Sequence, residues 1–244
     1  MIKIAVNGAL GRMGARILSL AQQCEDFKIS GAFDHAGTKL TEKKLSGSDV
    51  LIDFSSPEGT RHCLEAARKL GVALVIGTTG LGAQDEKALS VASKKIAIFQ
   101  SPNMSIGANF LFELARLAAR RLKDGYDIEI MEAHHRLKKD APSGTAKKIA
   151  EVIAKEKGWD LKKVARYGRE GLTGERPKEE IGIHVIRAGD IVGEHSVLFS
   201  GPGETIELRH HAQSRDAFAR GALVAAVFIS KKKNGLYSMT DIIG

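Results

Sequence analysis

Cysteine is scarce: the 244-residue chain has two, Cys24 and Cys63. They lie far apart and in no metal or redox spacing, which excludes a disulfide-stapled scaffold and a thiolate metal site. A reducing cytoplasm is the expected compartment, and no metal is expected. Aromatic residues are also few, at 5%. No nucleic-acid-binding motif accompanies the basic charge, so nucleic acid is not an expected partner. Long apolar runs are missing too. The longest, around Ala222 to Ile229, falls well short of the roughly 20 residues that span a bilayer, so no membrane partner is expected. Met1 to Val6 enters a strand-like pattern directly, without a basic leader, a longer apolar stretch or a cleavage site. No internal repeat or low-complexity segment is visible.

What is present describes an ordinary globular chain. Hydrophobic residues make up 43%, the usual share for a soluble fold. The length allows one domain or two small ones. The formal net charge of +8 is spread over many segments, which suits a positive field that draws in small polyanionic ligands.

Lys3 to Val6 reads as a short apolar strand running into Asn7-Gly8-Ala9-Leu10-Gly11-Arg12-Met13-Gly14, then a helical pattern from Ala15 to Cys24. The glycines are spaced G-x-x-G-x-x-G, a variant of the dinucleotide fingerprint. Small residues allow a tight turn and let the backbone approach a pyrophosphate at a helix N-terminus. A second strand, Lys28 to Phe33, ends at Asp34, where an acid can accept hydrogen bonds from an adenosine ribose. His35 follows. A basic residue there can meet the 2′-phosphate of NADP, with Arg12 able to help, so NADH and NADPH both remain open.

The alternation continues. Thr38 to Ser48 reads as a connecting loop, Asp49 to Phe54 as a buried strand and Glu58 to Leu70 as a helix opened by Pro57 and ended by Gly71. Val72 to Ile76 is a continuous apolar strand of the kind found in parallel sheets. It ends in Gly77-Thr78-Thr79-Gly80, a tip where ligands of doubly wound sheets bind. A helix from Gln84 to Lys94 and a strand from Ile96 to Phe99 lead to a further tip, Ser101-Pro102-Asn103-Met104-Ser105. Asn103 can reach a cofactor amide, although Asn after Pro is also ordinary turn chemistry.

After a helix from Gly107 to Lys123 the period changes. Asp127 to His135 reads as a strand, followed by His134-His135-Arg136-Leu137-Lys138-Lys139-Asp140. Pro142 breaks the chain and Ser143-Gly144-Thr145 opens a helix reaching Lys157. A strand thus delivers imidazoles and amines to its tip beside a helix N-terminus. His134 and Lys138 can carry protons near neutral pH, and the free amides suit a carboxylate. The bland reading is a solvated polar loop with an ordinary helix cap. After a loop, strands follow at Ile181 to Arg187, Ile191 to Phe199 and Thr205 to His211. Runs of strands after βα units argue for a second sheet, mixed or antiparallel. Arg215 to Ile229 is apolar on nearly every face and reads as a buried helix packing on the first domain. The expected architecture is an α/β chain. A Rossmann-like doubly wound dinucleotide-binding domain (1–105 and 214–244) is joined to an α+β domain (106–213) for substrate binding and oligomerisation.

With these residues in hand the sequence resembles the 4-hydroxy-tetrahydrodipicolinate reductase family, formerly dihydrodipicolinate reductase. The resemblance spans essentially the whole chain. It is carried by V-N-G-A-L-G-R-M-G (6–14), D-V-L-I-D-F-S (49–55), V-I-G-T-T-G (75–80), E-A-H-H-R-L-K-K-D-A-P-S-G-T-A (132–146), Y-G-R-E-G-L-T-G-E-R (167–176) and R-A-G-D-I-V-G-E-H (187–195). It implies reduction of a cyclic hydroxy-dicarboxylate imine to tetrahydrodipicolinate with loss of water, using NADH or NADPH, in lysine and diaminopimelate biosynthesis. It implies His134 and Lys138 as the acid/base pair and His135, Ser143, Gly144 and Thr145 as substrate contacts. Cofactor contacts are implied at Gly8, Ala9, Leu10, Gly11, Arg12, Met13, Asp34, Gly77, Thr78, Thr79, Ser101, Pro102, Asn103 and Met104, and a homotetramer is implied as the assembly. Two departures stand out. His35 occupies a place where some members carry arginine, and Ala36 to Ser48 is shorter than is common in the family. The rival readings are a dehydrogenase for another small dicarboxylic acid and a non-catalytic dinucleotide-sensing regulator.

Overall fold

The structure, a computed structural model, describes residues 1–122 and 125–244. In chain order the elements of the first half are β1 (Ile2–Asn7), α1 (Arg12–Gln22), β2 (Phe27–Phe33), α2 (Glu42–Leu45), β3 (Val50–Asp53), α3 (Pro57–Leu70), β4 (Ala73–Ile76), α4 (Ala83–Ala92) and β5 (Ala97–Gln100). Next come α5 (Ile106–Arg121), β6 (Asp127–His134), α6 (Gly144–Lys157), α7 (Leu161–Val164), β7 (Ala165–Tyr167), β8 (Ile181–Arg187), β9 (Glu194–Gly201) and β10 (Glu204–His211). The chain ends with α8 (Asp216–Ile229), β11 (Gly235–Tyr237) and α9 (Thr240–Ile243). It divides into two compact units, Met1–Ile106 with Arg215–Gly244, and Gly107–Ser214.

The first unit is built on a six-stranded sheet in the order β11-β5-β4-β3-β1-β2, with every pairing parallel. Alternate residues of a strand point to opposite faces, and both faces here are covered. Ile4, Val6, Val50, Ile52, Val75 and Phe99 pack with α1 and α8, while Ala5, Leu51, Leu74, Ile76 and Ile98 pack with α3 and α4. This is why the strands read as unbroken apolar runs. α3 begins on a Ser56 cap with Pro57 in its first turn and ends at Gly71 in the left-handed region, as Pro and Gly placements there require. α8 reaches the sheet closely through small residues: a Cβ at Gly221 would lie 1.7 Å from the Met104 carbonyl oxygen. Its first turn is tied to α1 by Arg16, whose Nε and Nη2 donate to Asp216 at 2.5 and 2.7 Å.

Five details differ from the sequence reading, one of them the start of β9 at Glu194, three residues after the expected Ile191. α1 starts at Arg12, three residues earlier than the apolar periodicity suggests, because its first turn belongs to the glycine-rich loop and carries Arg12 and Gly14 in place of a clear apolar period. The presumed loop from Thr38 to Ser48 contains α2, capped by Thr41 and anchored by the fully buried Leu45. The stretch after Lys157 is not all loop, since α7 and the three-residue edge strand β7 lie there. The short β11 extends the first sheet beyond β5. Elements this short carry too few residues to show a period. The expected end of the Gly107 helix, at Lys123, lies outside the described residues.

The second unit holds a mixed five-stranded sheet in the order β10-β9-β6-β8-β7. β6 is central, antiparallel to β9 and parallel to β8. Ile128 and Ile130 of β6 join Ile181, Ile183, Val197 and Phe199 on one face, packing against Ile149 and Ile153 of α6 and Leu111, Phe112 and Ala115 of α5. Glu132 and His134 continue the same face to the strand's end, since they share the parity of Ile128 and Ile130.

Candidate active site

In the first unit the parallel topology gathers the expected cofactor residues without any special arrangement. Gly8 to Met13 follow β1, Asp34 and His35 follow β2, Gly77 to Thr79 follow β4, and Ser101 to Met104 follow β5, all at the carboxyl edge of one sheet. Gly8 has φ +80°, and a Cβ there would meet the Phe54 carbonyl oxygen at 2.2 Å. A Cβ at Gly14 would sit 2.1 Å from the Gly8 carbonyl oxygen. These two glycines let the loop fold tightly onto α1. No side chain caps α1 at Gly11 and no acid lies in its first turn, so its opening amides and dipole favour an anion. The residues present therefore fit a dinucleotide pyrophosphate.

Asp34 is buried, and its carboxylate accepts from the Leu10 amide on Oδ2 (3.0 Å) and the Ala36 amide on Oδ1 (3.2 Å). These amides, Ala36 first, hold its pKa below the usual carboxylate range. Asp34 thus fastens the glycine loop while Oδ2 keeps acceptor capacity for a ribose hydroxyl. His35 lies almost wholly in solvent, with Nδ1 2.9 Å from Asp34 Oδ1. Thr78 is buried and Thr79 exposed. At the last tip, Pro102 is exposed, the Ser101 hydroxyl donates to the Asn103 carbonyl (2.7 Å) and Asn103 Oδ1 accepts the Ser105 amide (2.9 Å). The Met104 side chain packs into the core.

Sequence reasoning passed over the residue that ties the ends of β1, β3 and β4 together. Asp53, fully buried at the end of β3, accepts from Asn7 Nδ2 (2.8 Å) and Ser55 Oγ (2.6 Å) on Oδ1, and from Thr60 Oγ1 (2.5 Å) and Thr78 Oγ1 (2.9 Å) on Oδ2. Thr78 Oγ1 in turn accepts the Ser55 amide at 3.0 Å. A carboxylate closing an otherwise apolar strand in D-V-L-I-D-F was the available clue.

In the second unit, the end of β6 and the start of α6 meet around another unassigned carboxylate, Glu132. Its Oε2 lies 2.5 Å from His134 Nδ1 and accepts from Arg187 Nη1 at 2.8 Å; its Oε1 accepts from Arg187 Nη2 and from the Ser143 amide, each at 2.9 Å. Burial alone would raise the Glu132 pKa. Hydrogen bonds from His134, Arg187 and the Ser143 amide outweigh it and hold the group at about 2. Arg187 also donates to the Asp140 carbonyl at 2.7 Å. Lys138 pairs with the Asp140 carboxylate at 2.9 Å. His134, Lys138 and Ser143 are therefore drawn together, while His135 is only partly buried beside them. The Ala141-Pro142 peptide in this turn is cis.

Ser143 is buried, its amide on Glu132 and its Oγ accepting the Ala146 amide (3.2 Å) and 3.0 Å from His195 Nε2. It caps α6, whose opening at Gly144 is exposed. The His195 ring stands edge-on to that of His134, with centroids 5.2 Å apart. Burial, with the neighbouring His134, depresses the His195 pKa to about 3, so this ring is neutral. Glu132, Arg187 and His195 all stand inside quoted motifs, but no spacing rule links positions 55 residues apart. The sheet registers do so: β6–β8 sets His134 opposite Arg187, and β6–β9 sets Glu132 opposite His195. A cavity of about 590 Å³ lies elsewhere, on the opposite sheet face among Glu129, Arg169, Arg176 and His184. Its charged groups already pair with one another, so it carries no part of the acid/base chemistry.

Comparison with known proteins decides the family. Residues 2–104 match the family model for dihydrodipicolinate reductase, N-terminus, and residues 107–243 match that for dihydrodipicolinate reductase, C-terminus. The chain belongs to the dihydrodipicolinate reductase family. Among curated relatives, the 4-hydroxy-tetrahydrodipicolinate reductase of Nitrosomonas europaea is 46% identical over 100% of this chain and 98% of that protein. That of Polynucleobacter necessarius is 47% identical over 100% and 99%. A solved dihydrodipicolinate reductase from Paenisporosarcina sp. TG-14 superposes with TM-score 0.80 at 25% identity, covering 99% of each chain. A probable dehydrogenase from Thermotoga maritima shares the fold, with TM-score 0.60 at 11% identity. As a family member the chain is an oxidoreductase, and its Rossmann-like sheet with a second mixed sheet is the family's architecture. Among the described residues no helix is long and apolar enough to cross a membrane.

Proposed function

We propose that this reductase converts 4-hydroxy-tetrahydrodipicolinate to tetrahydrodipicolinate with loss of water, using NADH or NADPH, in lysine and diaminopimelate biosynthesis. The observation that carries the reading is His134, held by a buried ionised carboxylate, beside Lys138 and the opening of α6. The solved relative was obtained with dipicolinate bound, a flat dicarboxylate of the shape this reaction needs. Here the Gly144 and Thr145 amides at the helix opening, with Lys138 and His135, would take the substrate's carboxylates. Ser143 serves by holding that helix start in place.

A bound nicotinamide supplies the hydride. The chain's residues do the rest. The opening of α1 and the loop from Gly8 to Met13 bind the pyrophosphate. Asp34 and His35 face the adenosine ribose, and the tips at Gly77 to Thr79 and Ser101 to Met104 complete the cofactor contacts. Hydride addition to the conjugated imine leaves electron density that needs a proton, and His134 or Lys138 donates it. Lys138 also places positive charge beside the carboxylates. Exposed Met131 and Ile186, with Leu198, lie on the face of the second sheet away from α6. This favours joining of sheets into a homotetramer, and the cytoplasm suits such an enzyme.

The test is oxidation of NADH and NADPH by the purified chain, with fresh substrate made in place by a coupled synthase. Turnover with either cofactor is expected. Tight dinucleotide binding without turnover would move the reading to a sensor or to another small acid.

A further inference from the structure

Glu132 makes four polar contacts to three groups from three separate segments. It touches the ring of His134 on its own strand, the guanidinium of Arg187 at the end of β8, and the amide of Ser143 where α6 begins. Through Arg187 it also holds the Asp140 carbonyl, and so the turn that carries Lys138. Its side chain is fully buried. An ionised carboxylate offers only acceptors, so the ring nitrogen facing it must be the donor. His134 is then protonated at Nδ1, and Nε2 is the nitrogen left to exchange a proton. Nε2 lies on the side of Gly193, where an added Cβ would stand 3.2 Å away. The glycine therefore leaves that nitrogen its room.

We infer that Glu132 is the positioning residue of this site: it fixes the His134 tautomer, directs Nε2 to the reacting atoms, and sets the substrate-binding helix start in register with the proton donor. This rests on the reading of His134 as an acid/base group. Glu132 touches no substrate and acts through His134 and Ser143. The charged and titratable groups around the ring come from every neighbouring element: Glu132 on β6, Arg187 on β8, His195 on β9, and Lys138 with Asp140 in the turn. His195 is neutral, so the charge that the imidazole meets is set by Glu132 and Arg187, with the Lys138–Asp140 pair beyond them.

The test uses three measurements on the full chain. Nitrogen-15 NMR of the wild type should show the neutral His134 ring protonated at Nδ1; a ring protonated at Nε2 overturns the inference whatever the variants do. Glu132→Gln should lower kcat by about a hundredfold, the scale of lost acid/base help, with KM for NADH and NADPH within about threefold of the wild type. It should also move the His134 limb of the pH profile to lower pH, because the imidazolium loses its anionic partner. Arg187→Gln should move the same limb to higher pH, because the carboxylate keeps the ring and loses its competing cation. Opposite shifts are not a result that loosened packing produces. Equal shifts in one direction, or a wild-type profile in Glu132→Gln, overturn the inference. If Glu132→Gln does not fold, the wild-type tautomer and the Arg187→Gln shift decide. Undiminished turnover in His134→Ala would instead show that the acid/base reading itself had failed.

Discussion

Replacing Asp53 gives a graded test of how the first unit is held. In Asp53→Ala three buried donors lose their acceptor, Asn7 Nδ2 and the hydroxyls of Thr60 and Thr78, and so does the hydroxyl of the exposed Ser55, which water can satisfy. A buried donor left unsatisfied costs about 1–3 kcal/mol, so the ceiling is about 9 kcal/mol. Fallback partners lower it. Asn7 still reaches Ser55 Oγ at 3.1 Å and Thr60 the Ser56 carbonyl at 3.1 Å; Thr78 reaches the residue 53 carbonyl and Ser55 the Ser56 carbonyl, each at 3.5 Å. Two fair substitutes and one poor one among the buried donors leave about 3–4 kcal/mol of lost stability. In Asp53→Asn the amide nitrogen can turn toward Thr60 and Thr78, whose hydroxyls then accept while their protons go to those carbonyls. The loss should then be only about 1–2 kcal/mol. Urea unfolding followed by far-UV circular dichroism measures both. Because Thr78 lies on an expected cofactor tip, NADH titration should show weaker binding in the same order, alanine below asparagine below wild type. Alanine and asparagine variants equal to each other, or both within about 0.5 kcal/mol of wild type, would refute the view of Asp53 as the node of that edge.

Other outcomes follow from the same geometry. Gly14→Ala places a Cβ 2.1 Å from the Gly8 carbonyl oxygen; dinucleotide affinity by calorimetry should fall at least about tenfold, or ~1.4 kcal/mol, and unchanged affinity would show that the loop gives way freely. Gly221→Ala drives a Cβ toward the Met104 carbonyl oxygen at 1.7 Å, and overpacking of this kind should cost about 1–3 kcal/mol in urea unfolding. Acid should weaken the second unit. Glu132 falls from 4.5 to about 2 on folding, so its contribution is complete above about pH 4.5 and is lost as pH falls toward 2, roughly 3 kcal/mol in all. Unfolding curves taken from pH 6 to pH 2 should show that loss, and a flat profile would contradict it.

The first sheet could be read from the sequence because each step was local. Val50 to Ile52 and Ala73 to Ile76 are unbroken apolar runs, the tip Gly77 to Gly80 follows the second, and a parallel sheet puts the strand tips on one edge without further information. The end of β6 was also readable, since His134, Lys138 and Ser143 stand within ten positions of one another. What escaped was non-local or too short. Asp53 matters because it meets Asn7 from one strand and Thr78 from another. Glu132 matters because Arg187 arrives from β8, which the β6–β8 register dictates. α2, β7 and β11 have three or four residues each, and such segments are fixed by the surface that receives them, not by a period of their own.

The most direct measurement is steady-state turnover of His134→Ala and Lys138→Ala beside the wild type, with synthase-generated substrate and both reduced cofactors. Each variant should lose at least about a hundredfold in kcat while still binding NADH and NADPH. Wild-type turnover in both would mean that the proton comes from elsewhere and that the tip of β6 is only a polar loop.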